Sequence, residues 1–284
     1  MSGNNLNLKI YNQDDQIKKM KPFDCHCHLD DKAFDKDRQE VINEVLRELS
    51  GLINCGTDAK SNKFSLELAK QYAKIYAALG LHPTVIINVP ASEIESQIRK
   101  IEKFLADKNV VAIGEVGLDF AWIKKRKNFE ELKKKQEKYF LKFIEISKEY
   151  EMPLIIHSRW AAEKVLSLLL EARAEKVMLH AFNTSLKTAT LAIENGFYIS
   201  IGTNVLYADY MQRFASNLPL ENILLETDSP YMLRVKKNNE WVLERNEPKN
   251  ILLAVEKISQ LRNLSQAEII KKTNLNVDKL FKIT

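Results

Sequence analysis

The sequence predicts a TIM barrel, a closed sheet of eight parallel strands in which a helix follows each strand. Short apolar runs alternate eight times with longer amphipathic segments, and strands buried on both faces have this apolar character. Eight such units in a chain of 284 residues favour a closed parallel barrel. An open doubly wound sheet is the alternative. It is disfavoured because the sequence contains neither a G-x-G-x-x-G after the first strand nor a G-x-x-x-x-G-K-[ST] motif.

The hydrophobic period places each element in turn. Runs that are almost continuously apolar indicate strands, and apolar residues three or four positions apart indicate helices. The predicted strands are Phe23–His28, Gly51–Cys55, Ile75–Leu81, Val110–Val116, Pro153–His157, Lys176–His180, Gly196–Ile201 and Asn222–Glu226. The predicted helices are Asp35–Leu49, Ser61–Tyr72, Ser92–Leu105, Phe129–Tyr150, Ala161–Ala172, Leu186–Glu194, Tyr207–Ala215 and Lys249–Leu261. A last helix over Gln266–Ile283 is expected to cap the barrel.

The alternation also predicts the domain organisation. Since no Pro-, Ser- or Gly-rich linker interrupts it, we predict a single barrel domain over residues 22–284. Residues 1–21 are polar, and we expect this N-terminal extension to be poorly ordered. The extension lacks the apolar stretch of a signal peptide.

Composition limits the class of protein. Hydrophobic residues make up 45% of the chain, enough to bury a core, so a wholly disordered chain is excluded. The net charge of +5 permits an anionic partner without requiring one. The chain has three cysteines, Cys25, Cys27 and Cys55. Because an odd number cannot all form disulfide bonds, free thiols in a reducing compartment are favoured. No apolar stretch is long enough to cross a membrane. We therefore expect a cytoplasmic protein without a membrane partner, with a monomer favoured.

The histidines all fall at, or just beyond, the ends of predicted strands. In a parallel barrel these ends meet at one mouth, where active sites form. The five residues are His26, His28, His82, His157 and His180. Alternation along the first strand would place Asp24 on the same face as its two histidines and turn Cys25 and Cys27 toward the helices. Two imidazoles on one face can bind a metal, although two core histidines bonded to each other would produce the same pattern.

Two carboxylates shift the balance toward metal binding. Glu115 and Asp228 follow apolar runs, where a carboxylate is costly to bury unless it is paired or bound to a metal. A salt bridge for either residue, or a helix N-cap for Asp228, is the alternative. Because histidines point at the same mouth, we predict a metal site. Two cations about 3.5–4 Å apart suit in-line phosphoryl displacement.

Other residues near the same mouth suggest contacts with an anionic substrate. Arg159 could hold a phosphate bidentately or form a salt bridge, and His82 could touch a phosphate or bind the metal. The basic run Lys124–Lys127 could attract a polyanion or be ordinary solvated surface. Phe120 and Trp122 could stack on bases or simply pack the loop.

Several motifs together resemble the TatD family of metal-dependent deoxyribonucleases. The match is specific because the motifs occur in order from about Pro22 to Phe281. They are Phe-Asp-Cys-His-Cys-His-Leu, Gly-Leu-His-Pro, Ile-Gly-Glu-Val-Gly-Leu-Asp-Phe, Ile-Ile-His-Ser-Arg, Leu-His-Ala-Phe, Leu-Leu-Glu-Thr-Asp-Ser-Pro-Tyr and Arg-Asn-Glu-Pro. The resemblance implies a TIM barrel of the metallo-hydrolase superfamily.

The resemblance also implies the cofactors and site residues. Two divalent cations, Mg, Mn or Zn, would be bound by imidazoles and carboxylates, with Glu115 between them. The implied ligands are His26, His28, Glu115, His157, His180 and Asp228. His82 and Arg159 would contact substrate phosphate. Glu115 and Asp228 would be the catalytic residues, Asp228 by orienting or deprotonating the attacking water.

One loop departs from the family pattern. After the histidine of the sixth strand the family usually has Cys-Phe-Ser-Gly, whereas this chain has Ala181-Phe182-Asn183-Thr184. Without this glycine the loop has fewer backbone conformations available, because glycine adopts a positive φ angle freely. This leaves substrate preference open and bears less on the metal centre.

We therefore predict a metal-dependent deoxyribonuclease that uses two cations. The resemblance implies that it is a 3′–5′ exonuclease acting on DNA. RNA is a second candidate substrate. The alternative is an ester or amide hydrolase of the same superfamily, such as an aminoacyl-tRNA deacylase. Glu115 stands where related barrels often have a carboxylated lysine, which disfavours those amidohydrolases but not a deacylase. A barrel that lost its metals is disfavoured by the intact histidines, and a nucleotide-cofactor enzyme by the lack of a glycine-rich loop.

Overall fold

The computed structural model describes residues 20–283. Eight parallel strands form one sheet, in which each strand is hydrogen-bonded to the next along the chain. They are β1 Phe23–Cys27, β2 Gly51–Cys55, β3 Ile75–Leu79, β4 Val110–Asp119, β5 Leu154–Arg159, β6 Val177–Leu179, β7 Tyr198–Ile201 and β8 Ile223–Leu225. The predicted extension over residues 1–21 lies outside the described part of the chain except for its last two residues. The proposed division at residue 22 stays a prediction.

The sheet is nearly closed into a barrel, and the seam lies beyond the end of β8. There the amide of Asp228 donates to the carbonyl of His26 at 2.9 Å, and the amide of His28 donates to the carbonyl of Ser229 at 2.7 Å. Asp24 reinforces the seam, because its carboxylate accepts from the amide of Thr227 at 2.9 Å and from its hydroxyl at 2.6 Å. The predicted TIM barrel is confirmed.

Helices follow the strands and cover the outside of the barrel. They are α1 Arg38–Glu48, α2 Ala59–Gln71, α3 Pro83–Ile86, α4 Ala91–Phe104, α5 Phe129–Glu149, α6 Ala162–Glu171, α7 Leu186–Glu194, α8 Asp209–Asn217, α9 Ile251–Arg262 and α10 Gln266–Phe281. Capping boxes fix the starts of α2, at Asp58 and Ser61, and of α10, at Ser265 and Glu268. Among the described helices, none is long and apolar enough to cross a membrane.

Buried side chains form two main layers. The larger layer lies between the sheet and the helices. The smaller layer is made by strand residues of the opposite face, including Cys25, Ile53 and Met178, together with Leu280 and Phe281 from the end of α10. The last helix therefore caps the inner core, as the sequence predicts, and leaves the opposite end of the barrel open for the site.

Strict alternation along β1 is not observed, so the predicted side-chain directions of this strand are partly wrong. The pairing of β1 with β2 shifts between Asp24 and Cys27. As a result Cys25 packs in the inner layer and Cys27 in the outer one, while Asp24 bonds to Thr227 instead of joining the histidines. The three cysteines are free and buried, in agreement with the prediction of unbridged thiols.

A hairpin that the sequence analysis did not predict follows β8. Its strands are β9 Leu233–Lys237 and β10 Glu240–Glu244, which pair antiparallel. Asn238 and Asn239 connect them with φ angles of 49° and 67°. Two consecutive residues in the left-handed conformation form a turn whose twist matches that of the flanking strands, and asparagine tolerates this conformation well.

Candidate metal centre

A cavity of about 440 Å³ opens at the carboxyl ends of the barrel strands. Seven of the eight predicted site residues line it, and the eighth, His26, is fully buried beside them. The lining residues from the prediction are His28, His82, Glu115, His157, Arg159, His180 and Asp228. The structure therefore brings every predicted site residue to one place.

The first group of donor atoms belongs to β1 and the segment after β8. Nε2 of His26 lies 3.1 Å from Nε2 of His28, and each of these atoms lies 3.4 Å from Oδ1 of Asp228. Oε2 of Glu115 is 3.6 Å from the first nitrogen and 3.4 Å from the second. Ligands about 2.0–2.2 Å from a cation lie roughly 3 to 3.5 Å from their neighbours. The spacing and chemistry of these donors fit a divalent cation.

Glu115 directs its other oxygen to a second group. Oε1 lies 2.7 Å from Nδ1 of His157 and 3.9 Å from Nε2 of His180. Nε2 of His180 also lies 4.0 Å from Oδ2 of Asp228. One carboxylate is thus shared between two sets of imidazoles, which is the arrangement that a bridging ligand requires.

Hydrogen bonds orient two of the rings. Nδ1 of His28 donates to the carbonyl of Cys55 at 2.9 Å, and Nδ1 of His180 donates to Glu226 at 2.8 Å. Because a carbonyl and a carboxylate only accept, each ring is protonated at Nδ1 and presents the Nε2 lone pair to the cavity when neutral. This is the tautomer that metal binding needs.

Burial and the dense charges shift the pKa values in the site. Burial opposes ionisation of Glu115, but the histidines around it hold its pKa well below the usual range. The pKa of Asp228 is lowered in the same way, with His180 as the main opposing charge. Burial disfavours protonated His28, yet Asp228 and Glu115 raise its pKa to about 9. Glu226 and Asp228 raise the pKa of His180 to about 10. Cations would therefore displace protons from this site.

His82 differs from the other histidines. Its Nδ1 accepts from the amide of Thr84 at 3.2 Å and caps α3, so the neutral ring carries its proton on Nε2. Burial and the neighbouring His157 lower its pKa to about 3, which keeps the ring neutral at pH 7. Nε2–H faces the cavity 3.7 Å from Glu115. The ring is thus a hydrogen-bond donor to the cavity and has no free lone pair for a metal.

Asp228 occupies an unusual backbone position. Its φ angle is 55°, in the left-handed region that aspartate tolerates better than most residues. The chain turns there, and no helix follows in the next residues, so the N-cap alternative is not realised. The turn instead directs the carboxylate at His26 and His28.

Close packing of β4 against β5 positions Glu115 and His157. Gly117 has a φ angle of 142°, and a Cβ atom there would lie 2.0 Å from the carbonyl oxygen of His157. Only glycine allows this approach. β4 also continues to Asp119, three residues beyond its predicted end at Val116.

Sequence reasoning missed three residues of the site. Asp119 accepts from Nε2 of His157 at 3.3 Å, Glu226 accepts from His180, and Tyr231 lines the cavity. Both carboxylates follow apolar runs, as Glu115 does, and that signal could have identified them. The hydroxyl of Tyr231 donates to Asp31 at 2.6 Å.

Phe120 and Trp122, for which the sequence analysis offered the same two roles, have different environments in the loop after β4. Phe120 packs with its ring 6.3 Å from that of Phe129, whereas Trp122 is 55% exposed and lines the cavity. Packing is therefore the role of Phe120. The run Lys124–Lys127 is exposed in the same loop.

The loop after β6 does not need the glycine that the family usually has there. Thr184 stands at that position and does not have a positive φ, while Ala181 has a φ angle of 42°. The hydroxyl of Thr184 donates to Glu163 at 2.9 Å. The loop therefore adopts its conformation without requiring a glycine at position 184.

A TIM barrel with imidazoles and carboxylates gathered at the carboxyl ends of its strands defines a metal-dependent hydrolase. The family model described as TatD related DNase matches residues 23–282. The chain therefore belongs to the TatD-related DNase family, and it is a hydrolase acting on ester bonds, as the sequence predicts.

Two curated relatives and one solved structure place the chain within the family. The chain is 32% identical over 266 residues to an uncharacterized metal-dependent hydrolase of Bacillus subtilis, YabD, covering 92% of this chain and 99% of the relative. It is 30% identical to the 3′-5′ ssDNA/RNA exonuclease TatD of Escherichia fergusonii, covering 92% and 99%. The crystal structure of the Escherichia coli TatD homologue YJJV superposes with a TM-score of 0.81 at 26% identity, covering 92% of this chain and 98% of that one.

Proposed function

We propose that the protein is a deoxyribonuclease that removes nucleotides from the 3′ end of DNA by hydrolysing phosphodiester bonds with two divalent cations. The observation that carries the proposal is the division of Glu115 between two imidazole groups, with Oε2 3.4 Å from His28 and Oε1 2.7 Å from His157. The name of the Escherichia fergusonii relative, a 3′-5′ ssDNA/RNA exonuclease, supports the proposed polarity and the proposal of RNA as a second substrate.

The spacing of the donor atoms supports a proposed set of ligands for each cation. His26, His28 and Asp228 would hold one cation, His157 and His180 the other, and Glu115 would contact both. Mixed nitrogen and oxygen donors accept Mg, Mn or Zn. When bound, such a pair of cations polarises the phosphoryl oxygen and acidifies the attacking water.

The protein's own residues bind and orient the reactants. Asp228 is ionised at neutral pH because its pKa lies below the usual range, so its carboxylate accepts a hydrogen bond from water and fixes its direction. His82 donates from Nε2–H to a phosphate oxygen without adding charge. Arg159 is exposed at the edge of the cavity, where its guanidinium can hold a phosphate bidentately.

We also propose a cytoplasmic location and a monomer. The location is supported by the three buried free thiols, which suit a reducing compartment.

The test compares substrates in parallel on the purified, metal-analysed protein. Single-stranded DNA, double-stranded DNA, RNA and charged tRNA are each incubated with Mg, Mn or Zn, and DNA labelled at either end reports polarity. We expect DNA shortening from the 3′ end in the presence of a cation and none after chelation. Release of the amino acid from charged tRNA without DNA cleavage would instead establish the deacylase alternative.

A further inference from the structure

The mouth of the cavity has one basic and aromatic side. It is formed by the loops after β4 and β5, which are adjacent strands. Trp122 is 55% exposed and Trp160 is 62% exposed. The ammonium of Lys124 lies 3.9 Å from the centre of the Trp160 ring, and Arg159 lies at the edge of the cavity beside Trp122. Two exposed indoles and two cations therefore lie on this side of the mouth.

The opposite side of the mouth is acidic. It belongs to the segments after β1 and β8, which lie across the barrel from β5 and β4. Asp30, Asp31 and Tyr231 line the cavity there. Tyr231 is 51% exposed, and its ring centre lies 6.1 Å from that of His28. A phosphate on this side would meet two carboxylates, which repel it.

A single exposed tryptophan is ordinary, but this arrangement is more specific. Trp122 and Trp160 come from the loops after two adjacent strands; Trp122 lines the cavity together with Arg159, and Trp160 directly follows Arg159 and carries Lys124 over its ring. Stacking on aromatic side chains, with cations along the backbone, is how proteins hold single-stranded nucleic acids. Paired bases in a duplex hide the faces that stacking requires.

We propose that a single strand of nucleic acid leaves the cavity over Trp122 and Trp160, with bases on the indoles and phosphates beside Arg159 and Lys124. The sugar and base of the terminal nucleotide lie on the other side, at Tyr231, and its phosphate stays at the metal centre. This proposal rests on the proposed nuclease function and adds to it the path of the strand. Because a chain continuing past Asp30 and Asp31 would bring phosphates against carboxylates, the site favours strand ends over internal positions.

The first test measures binding separately from cleavage. A fluorescent single-stranded 12-mer with phosphorothioate linkages is titrated with the metal-loaded protein, and anisotropy gives the Kd. Trp122→Ala and Trp160→Ala should each weaken binding by roughly tenfold, and Trp160→Phe should retain most of the affinity because a phenyl ring still stacks. Tyr150→Ala is the matched control, since this exposed aromatic residue ends α5 at the far end of the barrel.

The second test compares linear with circular single-stranded DNA of the same sequence. We expect the linear form to be degraded at least tenfold faster. Unchanged affinity in both tryptophan variants, or equal rates on circular and linear DNA, would overturn the proposed path. The binding result distinguishes the path from the proposed function, because unchanged affinity in both tryptophan variants with cleavage retained refutes the path alone. An absence of cleavage by a wild-type protein that binds the 12-mer through its tryptophans refutes the proposed function alone, whereas equal rates on circular DNA would refute both the path and the preference for 3′ ends.

Discussion

Nδ1 of His180 donates a hydrogen bond to Oε2 of Glu226 across 2.8 Å. Glu226 is 1% exposed, and its other oxygen accepts from the amide of Ala181 at 3.1 Å. The carboxylate is therefore held by two donors and cannot turn away. It fixes the plane and the tautomer of the imidazole and so directs Nε2 toward the other donor atoms of the site.

Glu226→Gln should weaken metal binding without unfolding the protein. The amide removes the negative charge that favours Nδ1–H on His180, and loss of such a supporting partner typically costs about 10- to 100-fold in metal affinity. Calorimetric titration of the metal-free protein measures the change. Glu221→Gln is the control, because that exposed carboxylate pairs with Lys272. Equal affinities for the variant and the wild type would contradict this role.

Glu115→Gln should abolish cleavage and lower the metal content. An uncharged amide cannot serve two cations, so we expect loss of at least one metal per chain and about a thousandfold or greater loss of activity. Metal analysis by mass spectrometry and the DNA assay measure the two effects. Glu130→Gln, on the exposed first turn of α5, should change neither. Retained activity in a chelating buffer would defeat the two-cation mechanism.

Removal of the metal should make stability depend on pH. The pKa values of His28 and His180 are raised to about 9 and about 10, above the unfolded value of about 6.5. Their protonated forms therefore contribute stability that is fully present below about pH 6.5 and is lost as the pH rises through 9 to 10. Cations take over the role of these protons. The Tm difference between the metal-loaded and chelated protein should widen from about pH 6.5 to about pH 10, and a constant difference would refute this account.

Neutralising Lys124–Lys127 with glutamine should reduce the salt dependence of DNA binding. Each lost phosphate contact lowers the slope of log affinity against log salt by about 0.7 for a single strand. Anisotropy titrations at several salt concentrations give the slope. Lys279→Gln, in the last turn of α10, provides the control. If the slope stays at the wild-type value, the run is ordinary solvated surface.

Gly117→Ala should destabilise the protein by more than about 2 kcal/mol. The new methyl group would lie 2.0 Å from the carbonyl oxygen of His157, and the φ angle of 142° disfavours any side chain. Denaturant unfolding measures the loss. Gly196→Ala separates the two causes, because Gly196 also has a positive φ, 84°, but no atom lies within 4 Å of its added Cβ. The free energy of unfolding of this control should fall by only about 1–2 kcal/mol.

The sequence predicted the barrel because its strands are buried on both faces and so appear as apolar runs. The same signal fails for the hairpin Leu233–Lys237 and Glu240–Glu244, whose residues are mostly exposed. The one sequence signal for the hairpin is the pair Asn238-Asn239, which favours a two-residue turn.

A site residue was predictable where a polar side chain follows an apolar run, and its hydrogen-bond partner was less predictable because the partner depends on strand register. Glu115 could be identified from its place after an apolar run. The contacts of Asp119 with His157 and of Glu226 with His180 depend on how neighbouring strands align, which one sequence does not specify. The shift in β1 that separates Asp24 from the histidines is likewise a feature of pairing.

The seam between β1 and the segment after β8 has a consequence for biosynthesis. His26 and His28 are made early, but Asp228, which hydrogen-bonds to the His26 carbonyl, is made only after most of the chain. A growing polypeptide on the ribosome therefore carries the histidine pair without its carboxylate until the eighth strand emerges. If these residues bind the first cation as proposed, a chain terminated before the eighth strand would lack Asp228, so complete loading of the centre would require a completed barrel.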